Sequence, residues 1–112
     1  MTAALVYAIK YVADMERAVR FHRDHLGLTL RFASPQWTEF DTGSTTLALH
    51  PVTPEHPAGS CQLGFRVANI GSFYAEQQSQ GMQFTAPPTE LHGQKIARFK
   101  DSEGAEYVVS GQ

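Results

Sequence analysis

The sequence predicts an α+β fold that is built from two βαβββ modules. A strand-like segment at residues 4–12 leads directly into a helical pattern, and the same order begins again at residue 61. Val12-Ala13-Asp14 and Val67-Ala68-Asn69 stand 55 positions apart, which is about half of the 112 residues. Short strand-like segments with turn residues between them follow each helix.

The first module begins with a strand over residues 4–12, where β-branched and aromatic side chains are frequent. Asp14 is a favourable N-cap for the helix that follows, and Gly27 is expected to end this helix in the left-handed conformation. The predicted apolar stripe of the helix consists of Met15, Ala18, Val19, Phe21, His22 and Leu26. Three strands are then predicted over residues 28–34, 36–41 and 45–50.

The second module repeats this order with a strand over residues 61–67, Asn69 as the N-cap and Gly81 at the helix end. Ile70, Phe73, Tyr74 and Gln77 fall on one face of its helix. Strands are predicted over residues 82–85, 94–100 and 105–110, and a polar loop over residues 87–93.

Residues 51–60 contain three prolines and are predicted to form a stiff, extended linker between the modules. The chain is therefore expected to be one domain, residues 1–112, with modules at about 1–50 and 61–112.

Composition excludes several classes of protein. The chain is 42% hydrophobic and 11% aromatic, so it can form a core and is not a disordered segment. The net charge is −2 and the nine lysines and arginines are scattered, which argues against a nucleic-acid partner. No apolar run approaches the roughly 18 residues of a membrane span. With one cysteine and no signal-peptide pattern, we expect a cytoplasmic protein.

The paired module resembles the vicinal oxygen chelate superfamily, which includes glyoxalase I, bleomycin-resistance proteins, extradiol dioxygenases and related epimerases. The resemblance lies in Asp14-Met15-Glu16-Arg17-Ala18-Val19-Arg20-Phe21, which leads into Leu26-Gly27-Leu28. Lys100-Asp101-Ser102-Glu103-Gly104 is similar to the Asp-Pro-Asp-Gly turn of the family, with Ser102 in place of proline. The resemblance implies a curled mixed sheet around a cleft, with the helices outside. It also implies a homodimer. Some members of the family exchange modules between the two chains of the dimer.

The resemblance also implies where metal ligands would stand. Members that use a metal carry one His, Glu or Gln ligand on each of four strands, and these positions here hold Tyr7, Gln62, Ala48 and Val108. Alanine and valine cannot coordinate a metal ion, an amide is a weak ligand, and a neutral phenol is a poor one. We therefore expect no metal cofactor at the usual positions.

A displaced metal site is the alternative. His50 lies two residues after Ala48 and shares its strand face, and Glu39 and Glu106 lie on other strands. Together they could hold a divalent metal such as Zn, Ni, Fe or Mn. Another interpretation is that each is an ordinary hydrogen-bonding side chain.

The predicted cleft lining follows the two-residue period of strands, with Tyr7 and Gln62 taken as inward. The candidate ligand-binding residues are Tyr7, Tyr11, Trp37, Glu39, His50, Gln62, Arg66 and Glu106. On the third strand, the pattern does not decide whether Trp37 and Glu39 or Thr38 and Phe40 point inward. Arg66 would pair with a carboxylate or phosphate, or else remain a solvated strand charge.

Other chemically active side chains are expected to have ordinary roles. His22 and His25 stand three apart on the first helix among charged residues, which favours a solvated face over a metal site. Cys61 lacks a neighbouring base and is expected to be a small core residue. His92 in the predicted polar loop is a candidate to overhang the cleft.

Three functions are compatible with these features. The preferred one is noncatalytic binding of a small organic molecule, as in drug sequestration by bleomycin-resistance proteins. The first alternative is a metal-dependent lyase, isomerase or dioxygenase of the glyoxalase type with displaced ligands. The second is a structural or regulatory dimeric domain whose cleft is filled by its own side chains.

Overall fold

The computed structural model describes residues 2–112, which divide into two compact units. The first unit is Val6–Gln62, and the second consists of Leu63–Gln112 with the short segment that ends at Leu5. Within the chain, a strand, a helix and three further strands occur twice in that order. The prediction of an α+β fold with two βαβββ modules is confirmed.

The first unit is a four-stranded mixed sheet with a helix on one face. It contains β1 (Ala4–Val12) from Val6 onward, with α1 (Met15–Arg20), β2 (Thr29–Ala33), β3 (Thr38–Asp41) and β4 (Thr46–Pro51). The strand order is β2-β3-β4-β1, with β1 parallel to β4 and the other pairs antiparallel. Val19 of α1, Phe40 of β3 and Leu49 of β4 form the core between the helix and the sheet.

The second unit repeats this arrangement. It contains β5 (Cys61–Arg66) from Leu63 onward, with α2 (Ile70–Ser79), β6 (Phe84–Leu91), β7 (Gln94–Lys100) and β8 (Glu106–Gly111). The strand order is β5-β8-β7-β6, and β5 is parallel to β8 as β1 is to β4. Its core consists of Val67, Ile70, Phe73, Ala97, Phe99 and Val109.

The two strand-to-helix junctions are nearly identical, as the sequence repeat predicts. Asp14 Oδ1 accepts a hydrogen bond from the Arg17 backbone N–H at 3.0 Å, and Asn69 Oδ1 accepts one from that of Ser72 at 2.9 Å. The cap residues have φ −134° and ψ 105° in α1, and φ −136° and ψ 104° in α2. Both N-cap predictions are confirmed. Over residues 2–112, neither helix is long and apolar enough to span a bilayer.

The first helix changes its winding after Arg20 and continues as a π-helical segment, Phe21–His25. Phe21 and Leu26, predicted to lie in the apolar stripe, are 50% and 56% exposed. That prediction is wrong because a π-turn closes i→i+5 hydrogen bonds and takes the following side chains out of the 3.6-residue phase. Val19, which precedes the change, is buried as expected.

The predicted polar loop at residues 87–93 is mostly strand. β6 runs through both prolines to Leu91 and forms a hairpin with β7, in which only His92 and Gly93 turn, with φ 51° and 82°. β6 is an edge strand with an irregular register, so the missing N–H groups of Pro87 and Pro88 break no ladder. The position of a strand in its sheet is not visible in the local sequence.

The predicted linker, residues 51–60, lies within the first unit and is not extended as predicted, because residues 52–60 form two hydrogen-bonded turns. Thr53 and His56 exchange backbone hydrogen bonds at 3.1 Å, and the Ser60 N–H donates to the Pro57 carbonyl. The segment also runs beside β1, where the Tyr11 N–H donates to the Ser60 carbonyl at 2.9 Å. The backbone N–H groups that donate in these turns belong to Thr53, His56 and Ser60, so the prolines of the segment do not prevent the turns.

Asp101 closes the turn between β7 and β8. Its Oδ1 accepts from the backbone N–H groups of Ala105 and Glu103, each at 2.8 Å, and these bonds hold the pKa of the carboxyl below its ordinary value. Because the pKa is lowered by folding, the stabilisation is present above the unfolded-state pKa and is lost as pH falls through the folded-state pKa.

We expect Asp101→Asn to be less stable than the parent protein at pH 6, by a difference that shrinks as the pH is lowered from 6 through the folded-state pKa of Asp101. Asparagine keeps the Oδ1 acceptor but has no charge to lose. Urea unfolding of both proteins across this pH range measures the difference. A stability gap that does not change with pH would show that the charge of Asp101 does not act through this turn.

Candidate functional site

One face of the first unit's sheet is covered by α1. Thr38 pairs with Leu49, and Leu49 packs in the core with Val19 of the helix. Thr38 and Phe40 are fully buried on this side. Because side chains alternate along a strand, Trp37 and Glu39 belong to the opposite face. The structure therefore shows which side chains of β3 point away from α1, a question that the sequence left open.

The opposite face carries most of the predicted ligand-binding residues. Glu39 pairs with Ala48, Ala48 pairs with Ile9, and His50 pairs with Tyr11, so these side chains share one face. We name as the ring face the side chains of Tyr7, Tyr11, Trp37, Glu39 and His50. Ile9, Tyr11 and Ala48 are its buried floor, against which Tyr7 and Trp37 pack.

Glu39 is the polar centre of the ring face and is only 9% exposed. Its Oε2 accepts hydrogen bonds from the Trp37 indole Nε1 at 2.8 Å and from the Tyr7 hydroxyl at 3.3 Å. Its Oε1 accepts from Arg31 Nη1 at 2.9 Å. The carboxylate is therefore compensated in charge, and it fixes the orientation of two aromatic rings.

Arg31 is a residue of this site that the sequence analysis did not identify. Leu30 pairs with Phe40 and Phe32 pairs with Glu39, so Arg31 occupies an irregularity in the register of β2. Its guanidinium also donates to Thr46 Oγ1 at 3.0 Å. A β-bulge re-aims a side chain in this way, and neither alternation nor composition predicts one.

The aromatic rings of the ring face meet at steep angles. Tyr7 and Trp37 have centroids 5.7 Å apart at an interplanar angle of 75°, and Trp37 and His50 are 6.2 Å apart at 83°. Tyr11 and His50 are 5.1 Å apart at 54°. This edge-to-face packing holds Tyr7 and His50 against Trp37 without stacking either ring parallel to the indole.

Tyr11 is held from two sides. Its hydroxyl donates to Gln62 Oε1 at 2.6 Å, and both residues are buried. The His56 ring stacks on it at 4.3 Å with an interplanar angle of 6°. His56 was not predicted as a site residue, because its position depends on the turns of residues 52–60. Its Nδ1 lies 3.0 Å from Thr53 Oγ1.

Two further predicted ligand-binding residues belong to the second unit. Arg66 is exposed near the end of β5. Glu106 begins β8, and its Oε2 accepts from Thr85 Oγ1 at 2.7 Å. Both remain predicted ligand contacts.

The other residues with reactive side chains differ in burial. Cys61 is exposed, so its prediction as a core residue is wrong; it opens an alternating strand on the opposite parity from buried Gln62. His22 is half-buried, because its ring packs against Phe40 at 5.7 Å, whereas His25 is exposed.

A groove of about 680 Å³ lies on the helix side of the first unit. Asp14, Arg20 and Arg23 of the helical region line it together with residues 33–35. Its lining includes no aromatic ring, and its charged side chains are exposed to solvent. The groove therefore lacks the aromatic surface that distinguishes the ring face.

A family model for the Glyoxalase/Bleomycin resistance protein/Dioxygenase superfamily matches residues 4–109. The chain belongs to this superfamily. Membership agrees with the paired βαβββ order and with the resemblance noted in the sequence. A search of curated proteins found no match to the chain.

Several solved structures of the superfamily fold are similar to this chain. A hypothetical protein from Bacillus halodurans C-125 has a TM-score of 0.80 at 17% identity, covering 100% of this chain and 96% of its own. Methylmalonyl-CoA epimerase from Mycobacterium tuberculosis has a TM-score of 0.73 at 18% identity, covering 96% and 86%. A superfamily member from Vibrio splendidus 12B01 has a TM-score of 0.72 at 14% identity, covering 99% and 100%. At these identities the likeness is one of fold.

The positions at which the superfamily resemblance implies metal ligands do not fit a divalent ion. Ala48 and Val108 have no donor atom. Gln62 Oε1 already accepts the Tyr11 hydroxyl, and the Tyr7 hydroxyl donates to Glu39. Within residues 2–112, no three His, Cys, Asp or Glu side chains form a group that could hold a metal.

Proposed function

We propose that this protein binds a small, neutral organic molecule with a planar ring on the ring face, without a metal and without converting it. The observation that carries the proposal is the set of Tyr7, Trp37 and His50 rings around Glu39, whose carboxylate is compensated by three donors. Sequestration of this kind is the behaviour of the bleomycin-resistance type that the sequence resembles.

The chemistry of the ring face favours a neutral ligand. Flat aromatic side chains provide apolar surface and edge or face contacts, each worth about 0.5–1.5 kcal/mol beyond the area that is buried. Arg31 pairs with Glu39 at 2.9 Å, so neither charge is left for a charged ligand to neutralise. A charged ligand would lose hydration without gaining a partner.

Further ligand contacts and the assembly of the protein are proposed outside the ring face. Arg66 and Glu106 are proposed as further contacts to uncharged polar groups of the ligand, and the protein is proposed to be a cytoplasmic homodimer. Phe21, Leu26 and Phe32 are large apolar side chains about half exposed on the first unit, and a contact between copies would remove them from water.

The test uses benzofuran, a neutral planar probe, titrated into ¹⁵N-labelled protein and followed by NMR. Trp37 is the single tryptophan, so its indole N–H resonance is unambiguous and reports directly on the ring face. We expect this resonance to shift on binding, and Tyr7→Leu to weaken binding about five-fold through loss of one ring contact.

Tyr74→Leu is the matched control, because Tyr74 packs against Phe84 in the second unit at 4.6 Å. Its affinity for benzofuran should equal that of the parent protein, and EDTA treatment should leave both affinities unchanged. Absence of any shift at Trp37 would contradict ring-face binding. Affinity that is lost with EDTA and restored by Zn, Ni, Fe or Mn would favour the metal-dependent enzyme.

A further inference from the structure

We propose that His50 accepts a hydrogen bond from a donor group on the ligand, so that the ligand class is a planar N–H heterocycle or a phenol. This inference rests on the proposed function and adds the polar group by which the ring face selects among neutral rings. Three features of the molecule support it: the tautomer of the His50 imidazole, the engaged neighbouring acceptors and the packing of the ring.

The tautomer of His50 follows from its backbone contact. Its Nδ1 lies 2.6 Å from the carbonyl oxygen of Pro51. A carbonyl oxygen can only accept, so the proton of the neutral imidazole must be on Nδ1. The other ring nitrogen, Nε2, then has a lone pair and acts as an acceptor.

The Nε2 atom of His50 is available to a ligand. It has no hydrogen-bond partner among residues 2–112, and it is not a buried unpaired atom. The other strong acceptors nearby are already engaged, since Glu39 accepts from three donors and Gln62 Oε1 accepts from Tyr11. A donor that arrives on a ligand would therefore meet His50.

The position of the His50 ring suits a planar ligand. The ring is half-buried, and it stands at 83° to Trp37 and at 54° to Tyr11. A flat molecule that packs against the indole would direct an edge toward the imidazole. An N–H or O–H group on that edge can donate in the plane of the imidazole, where the Nε2 lone pair lies.

His22 provides an internal comparison. Its Nδ1 lies 2.7 Å from the carbonyl oxygen of Ala18, so the same argument gives it the same tautomer. Its ring, however, packs against Phe40 in the core region of α1, on the opposite face of the sheet. A change at His22 removes an equivalent imidazole without touching the ring face.

The experiment compares indole with benzofuran, which has the same shape but an oxygen in place of the N–H group. Both are titrated into the parent protein, His50→Phe and His22→Phe at a pH of about 8.5, at which histidine is ordinarily uncharged. Indole should bind the parent protein roughly three- to ten-fold more tightly than benzofuran, as one net hydrogen bond provides. His50→Phe should reduce this ratio to about one, whereas His22→Phe should retain the ratio.

The outcomes separate this inference from the function on which it rests. Equal binding of indole and benzofuran to the parent protein, with shifts at Trp37, would overturn the role of His50 and leave ring-face binding intact. Binding of neither probe would contradict both. The ¹⁵N resonances of the His50 ring in the parent protein give a readout that needs no variant: an Nε2–H tautomer would refute the proposal.

Discussion

Alanine in place of Gly111 should destabilise the protein by about 3 kcal/mol, at the upper end of what an overpacked site costs. A Cβ atom at this position would lie 2.6 Å from the carbonyl oxygen of Val67 and 3.3 Å from Cβ and the backbone N of Ile70. Real Cβ atoms do not approach an oxygen so closely, so the backbone would have to move. The obstacle is main chain and not the flexible end of a side chain.

The backbone around Gly111 is fixed by the way in which α2 begins. The Val67 N–H donates to the Ser110 carbonyl at 2.9 Å, and the Ile70 N–H donates to the Gln112 carbonyl at 3.2 Å. Ile70 is fully buried in the core of the second unit. Relief of the clash would therefore break a hydrogen bond or open the core, and either change costs free energy.

Gly71→Ala is the matched control, because it adds the same methyl group in the same unit. Its Cβ would have one neighbour within 4 Å, Asn69 Oδ1 at 3.5 Å, which is an ordinary contact. Alanine in a helix is favoured over glycine by about 0.5–1 kcal/mol, so this variant should be as stable as the parent protein or slightly more stable. Chemical denaturation of the three proteins gives both values. Equal stability of Gly111→Ala and Gly71→Ala would mean that the end of β8 does not confine the start of α2.

The parts of the fold that the sequence predicts correctly are those with local causes. Asp14 and Asn69 cap their helices through atoms three residues away, and an apolar strand precedes each of them. A single stretch of sequence contains all of that information. The repeat then strengthens each prediction, because two independent stretches give the same answer.

The wrong predictions have causes that lie elsewhere in the chain. Pro87 and Pro88 indicate a loop until β6 is known to be an edge strand, where their missing N–H groups are harmless. Phe21 fits the 3.6-residue stripe until the helix widens to π winding. In both cases the deciding fact is how neighbouring segments pack.

The candidate site likewise has features that the sequence predicts and features that only the structure shows. Alternation along β1 places Tyr7, Ile9 and Tyr11 on one face from the sequence alone. The face occupied by Trp37 and Glu39 depends on the pairing of β3 with β4, which alternation within β3 does not contain. Arg31 and His56 reach the site through a register irregularity and a pair of turns, so their roles emerge only from the structure.

Glu39→Ala should destabilise the protein by about 2–3 kcal/mol, because three donors lose a nearly buried acceptor. The full cost of a broken buried ion pair does not apply, since the Arg31 side chain is 44% exposed and can be solvated. The Trp37 N–H would lose its partner inside the ring face. We therefore also expect the Trp37 emission to change in the folded variant, measured by fluorescence alongside urea unfolding.

Asp41→Asn is the control for Glu39→Ala, because both carboxylates lie near the same arginine and asparagine keeps the Oδ1 atom that accepts from the Gly43 N–H at 3.0 Å. Asp41 Oδ1 is 3.8 Å from Arg31 Nη2 and its side chain is 56% exposed, so the loss of its charge should cost under about 0.5 kcal/mol. If the two variants were equally stable, Glu39 would contribute no more to stability than an exposed carboxylate, and its three hydrogen bonds would not stabilise the ring face. We also expect Glu39→Ala to bind benzofuran more weakly, because the carboxylate orients the Tyr7 and Trp37 rings. Loss of stability with unchanged affinity would show that Tyr7 and Trp37 keep their positions by ring packing alone.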